Sequence, residues 1–144
     1  MSFVTDGPPL DGDTLCHFDI RHDNLLVRRS DGQVVTLDWG MSRRGPWWGD
    51  IVVMALEWAE LDRFDALLER GGLGPDDERD ATRLLTSLGC FLTISSGWPA
   101  PPGLPHLPRF RSELGRRCLE GVRRRLGLDG SSVQTASDVV RRQG

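Results

Sequence analysis

An α+β fold, mostly helical, is what this sequence predicts. Three features predict it. An Asp-Gly turn lies between two short β-branched runs, an apolar run without breakers covers residues 50–58, and two longer segments at 75–94 and 109–126 carry helical signals.

Residues 1–13 are rich in Gly, Pro and Asp, the composition of a loose leader or severed linker, and residues 14–127 read as one domain. Two apolar runs, residues 25–27 and 34–37, are separated by Arg28-Arg29-Ser30-Asp31-Gly32-Gln33. Asp-Gly accepts the positive φ of a tight turn, so these runs should pair as a hairpin. Residues 50–58 are apolar nearly all round, as in a buried helix, with Asp50 expected at its N-cap. A second helix is expected over residues 63–70, stopped by Gly71-Gly72. Gly71-Gly72-Leu73-Gly74 follows a helix and lacks a Lys-Ser/Thr ending, so it reads as a helix stop and turn instead of a phosphate loop. A third helix should open at Pro75, with Asp76, Asp77 and Glu78 complementing its dipole, and run to about residue 94. The Gly- and Pro-rich residues 97–108 form a loop, residues 109–126 a closing amphipathic helix, and residues 128–144 a polar tail.

The segment with most chemistry is His17-Phe18-Asp19-Ile20-Arg21-His22-Asp23-Asn24, followed after the hairpin by Leu37-Asp38-Trp39-Gly40. Phosphoryl transfer needs a carboxylate that orients the attacking hydroxyl and accepts its proton, and oxygen ligands that hold magnesium on the nucleotide phosphates. Asp19 suits the first task, Asn24 and Asp38 the second. Magnesium usually takes only one or two protein carboxylates besides phosphate and water, so one amide and one carboxylate are a sufficient protein share. An antiparallel hairpin returns the chain to its origin and should make Asn24 and Asp38 neighbours. All three side chains are then expected to converge on one cleft.

With these residues, the chain resembles the aminoglycoside phosphotransferase and choline kinase-like family, whose loop reads His-x-Asp-x-x-x-x-Asn and whose metal-binding Asp follows a short hairpin. Residues 41–50, Met-Ser-Arg-Arg-Gly-Pro-Trp-Trp-Gly-Asp, are similar to the family's path from the metal-binding strand to an Asp opening the next helix. The resemblance covers most of residues 14–127 and implies a protein-kinase-like C-terminal lobe. It implies Asp19 as base, Asn24 and Asp38 on Mg2+, and His17 and Asp50 as braces of the loop, with ATP or GTP as co-substrate. Arg21 either contacts the transferred phosphate or lies on the surface. Trp47 and Trp48 are expected to pack near the site.

A kinase-like fold places a nucleotide-covering N-terminal lobe, with a phosphate-pairing Lys, before this loop. Only sixteen residues precede His17, and all 18 basic residues are Arg. The sequence is therefore expected to be the carboxy-terminal lobe of a longer enzyme or a truncated product. Apolar residues such as Phe3, Val4, Leu15 and Leu26 would be stranded, favouring self-association or a partner that supplies the missing lobe.

With 38% apolar and 27% charged residues, the composition is that of an ordinary globular protein, and a net charge of -3 gives no pull toward nucleic acid. Cys16, Cys90 and Cys118 are widely spaced, which suits reduced thiols in a cytoplasm, and neither a secretory signal nor a membrane span is visible. Residues 50–80 hold ten acids and three arginines, while residues 109–144 hold nine arginines and four acids. These are either solvated helix faces or an acidic wall that draws a cationic small-molecule hydroxyl substrate. A metal-dependent hydrolase built on His17, Asp19, His22 and Asp23 would need more His, and His106 alone remains. A binding protein or remnant without turnover is the stronger alternative.

Overall fold

The computed structural model describes residues 10–128; Phe3, Val4 and all but one residue of the expected polar tail lie outside it. Two small antiparallel sheets are followed by a helical body. The first sheet pairs β1 (Thr14–Cys16) with β4 (Arg43–Gly45), setting Thr14 opposite Gly45 and Cys16 opposite Arg43. The second pairs β2 (Leu25–Val27) with β3 (Val34–Thr36), setting Leu25 opposite Thr36.

The expected hairpin forms where Asp-Gly allows it. Gly32 takes φ 72°, and its N–H donates to the Arg28 carbonyl at 2.9 Å. Asp31 accepts the Gln33 N–H at 3.1 Å and holds the Arg28 guanidinium, which in turn lowers the Asp31 pKa. The pairing of β1 with β4 was not expected. Strands of three residues, Thr-Leu-Cys and Arg-Arg-Gly, are too short to carry an alternation that a sequence reading could detect.

Helix α1 (Gly49–Ala55) continues into a 3₁₀ turn, Leu56–Trp58, and α2 (Asp62–Arg70) follows. The reading of Asp50 as N-cap needs correction. Trp48 holds the cap position, and the Asp50 carboxylate turns away from its own helix to the backbone of residues 17 and 18. Nor is α1 buried on every side, since Met54 is 48% exposed. Helix α2 stops at Gly71 and Gly72, the latter at φ 86°, and α3 (Pro75–Ser95) opens with Asp77 accepting the Gly74 N–H. Helix α4 (Leu107–Arg125) packs antiparallel to α3, as the connecting loop requires.

The core is built from Val52, Val53, Leu56, Phe64, Leu68, Leu85, Leu114 and Cys118, with Leu10 packed against it. Burial pushes the Cys118 thiol up to about 12, so it is an inert apolar filler at neutral pH. Helix α4 approaches closely because Gly121 has no Cβ; an added one would lie 2.1 Å from the Ala59 carbonyl oxygen.

The charge asymmetry along the chain resolves into a seam between elements. Arg117 reaches the Glu57 carbonyl at 2.9 Å and Glu60 at 3.4 Å. Arg124 bonds Asp65 at 2.7 Å and Asp62 at 2.8 Å, and Arg125 joins Asp65, Glu78 and Thr82. Four of the ten acids in residues 50–80, Glu60, Asp62, Asp65 and Glu78, are thus paired with arginines of α4.

Candidate active site

Residues 17–24 leave β1 and form a loop that ends in a 3₁₀ turn, His22–Asn24. Its start is fixed by Asp50. One carboxylate oxygen accepts the His17 N–H and the other the Phe18 N–H, both at 2.8 Å. The His17 ring is 1% exposed and bridges two parts of the loop system. Its Nε2 meets the Leu37 carbonyl at 2.7 Å, and its Nδ1 meets the Asp19 N–H at 3.3 Å, so the proton sits on Nε2. Trp39 closes edge-to-face on the ring at 4.9 Å.

The backbone is left-handed at two positions. Phe18 takes φ 56° and Asp38 φ 57°. Asp tolerates this region, whereas for a bulky Phe it is an outlier costing about 1–3 kcal/mol that its surroundings must offset. Gly45 and Gly49 supply room for the ring: Cβ atoms there would lie 2.6 Å and 3.0 Å from it. The Arg43 guanidinium covers the ring at 4.5 Å.

Asp19 and Asn24 are in contact. Asn24 Nδ2 donates to the Asp19 carbonyl at 2.8 Å and to its carboxylate at 3.2 Å. Asn24 Oδ1 takes no hydrogen bond among the described residues. Asp38 is joined to this pair through backbone: the Leu37 N–H donates to the Asn24 carbonyl at 2.8 Å. The exposed Asp38 carboxylate has no ion pair or hydrogen bond among the described residues. Asp19 and Asn24 are half-buried and Asp38 is exposed. Two cavities, of about 180 Å³ and 370 Å³, are lined by other residues, including Trp47 and Asp77 in the first and Arg125 in the second.

Arg21 is committed to its neighbours. It makes a two-point contact with Asp23 at 3.1 Å and 3.0 Å, stands 3.6 Å from Asp19, and lies over the Phe110 ring of α4 at 5.7 Å. His22 faces Glu57 at 3.5 Å. Trp48 packs as expected, with its indole N–H on Asp77, but Trp47 is 48% exposed. Sequence reasoning missed Phe18, Arg43, Phe110, Glu57 and the Leu37 backbone. Only Asp23, two residues from Arg21, left a readable charge-pair signal.

No group of three or more His, Cys, Asp or Glu side chains among the described residues is arranged to hold a metal. The oxygens without a hydrogen bond near this loop are Asn24 Oδ1 and those of the Asp38 carboxylate. No helix of the described residues is long and apolar enough to cross a membrane.

The model of APH, the phosphotransferase enzyme family, matches residues 6–85, more than half of the chain. The chain belongs to that family. No curated protein matches it, and no solved structure does.

Proposed function

We propose that this chain carries the protein-kinase-like C-terminal lobe of a phosphotransferase that moves the γ-phosphoryl group of ATP or GTP to a small-molecule hydroxyl. The observation that carries the reading is the Asn24 amide. Its nitrogen is spent on Asp19, which leaves its oxygen directed away from the carboxylate as a hard ligand. Asn24 Oδ1 and the Asp38 carboxylate fit Mg2+, which completes its shell with phosphate and water. When bound, that ion neutralises charge on the nucleotide phosphates.

Asp19 is the base in this reading. Its amide is held by His17, leaving its carboxylate, one-third exposed, to orient an acceptor hydroxyl and take its proton. His17 and Asp50 brace the loop, and Arg21 is a phosphate contact only if it exchanges Asp23 for the phosphate. A metal hydrolase fits less well, because both His17 ring nitrogens are engaged by backbone. A cationic acceptor would find Glu57 beside the loop, while Glu60, Asp62, Asp65 and Glu78 are paired with α4.

Calorimetry with Mg2+ and ATP or GTP tests the reading at its weakest point. The chain has no Lys, Arg43 is stacked on Phe18, and Arg44 is paired with Asp13. The expected result is weak binding that depends on magnesium and is lost in Asn24→Ala. Nucleotide binding indifferent to magnesium and to Asn24 would favour a binding protein without turnover.

The hairpin also bears on partners. Leu26, Val27 and Val34 are 55%, 66% and 62% exposed, and Leu15 is 64% exposed. Leu26 and Val27 point to opposite faces of their strand, so both faces of the hairpin are apolar. This surface supports self-association or capture of a partner that supplies a nucleotide-covering lobe. Sedimentation of the isolated chain over a concentration series should show mass rising with concentration; a strictly monomeric species at every concentration excludes self-association.

A further inference from the structure

Phe18 is the only described residue other than Asp38 and glycine with a left-handed backbone, and it immediately precedes Asp19. Its ring is held from two directions. At its far edge, Gly45 and Gly49 leave a slot that a methyl group at either position would invade, at 2.6 Å and 3.0 Å. Above, the Arg43 guanidinium lies 4.5 Å from the ring centroid. Arg43 begins β4, five residues past Asp38, and stands opposite Cys16 of β1. The stack thus joins the strand that follows Asp38 to the residue that leads into Asp19.

We propose that Phe18 and Arg43 form a clasp that sets the position of Asp19 relative to the Asp38 segment, which makes both of them positioning residues. The inference rests on the reading of Asp19 as base. Without the cation over its face, the ring loses one wall of its slot. Asp50 then holds the Phe18 N–H alone, and the next peptide, whose N–H reaches His17 Nδ1, gains freedom to turn.

Amide hydrogen exchange read by NMR on the labelled 144-residue chain tests the clasp without any turnover. In Arg43→Gln, exchange at Phe18 and Asp19 should rise about fivefold, the range that loss of a partly desolvated cation–π contact provides. The melting temperature should fall by only a few degrees, the size of the same loss. Arg43→Lys, which restores a cation, should recover part of the protection. In Phe18→Leu, which fills the slot without a π face, adding Arg43→Gln should cause no further rise.

Unchanged rates at Phe18 and Asp19, or an additive double variant, would overturn the clasp. The base assignment fails separately: an Asp19→Asn chain that still transfers phosphate refutes it and leaves these exchange rates untouched.

Discussion

Asp19→Asn is expected to lower phosphoryl transfer by about 100- to 10,000-fold, the usual contribution of a positioned general base. The amide cannot take the proton of the acceptor hydroxyl. The loop should nevertheless keep its shape. The stronger Asn24 bond, at 2.8 Å, goes to the Asp19 backbone carbonyl, and the Asp19 N–H still meets His17. Arg21 also remains fixed by Asp23. Transfer from γ-labelled ATP or GTP to a panel of small-molecule alcohols, followed beside thermal unfolding, checks the prediction. A loss of less than about tenfold in a folded variant would remove Asp19 from the role of base.

The second large effect belongs to stability. Asp50→Ala removes the acceptor of two part-buried backbone N–H groups, beside a His17 ring that is 1% exposed. Hydrogen bonds to a charged group are each worth about 1.5–3 kcal/mol, and an unpaired buried donor also keeps its desolvation cost. Relaxation of the left-handed Phe18 returns about 1–3 kcal/mol, so the net loss should be about 2–4 kcal/mol. That is a sizeable part of a typical domain's 5–15 kcal/mol, roughly, and urea unfolding should record it as a lower midpoint with little change in slope. Asp50→Asn keeps one acceptor oxygen and should fall between the two. An Asp50→Ala chain as stable as the parent would mean that the loop is held by His17 and Trp39 alone.

Helix boundaries and the hairpin were legible because their causes are local. Asp31-Gly32 specifies a turn whatever surrounds it, and Pro75 with three following acids specifies a helix start. The structure moved these elements by one or two residues, with α3 ending at Ser95 and α4 starting at Leu107. Asp50 shows the limit of such reasoning. At the start of a helix it satisfied every local rule for an N-cap, yet its carboxylate binds residues 33 and 32 positions earlier. No pattern within α1 records a demand made by a distant loop.

The candidate site divides along the same line. By itself the sequence determined which residue types are present and at what spacing: Asp19 and Asn24 five positions apart, Asp38 after a hairpin, and no Lys. These are matters of covalent order and short-range turn chemistry. Only the tertiary structure decided that His17 bridges Leu37 to Asp19, that Arg43 covers Phe18, and that α4 pairs with Glu60, Asp62, Asp65 and Glu78. Each of those contacts joins segments far apart in the chain. Their partners are selected by which surfaces the buried core brings together, so they follow from packing and leave no mark in the local sequence.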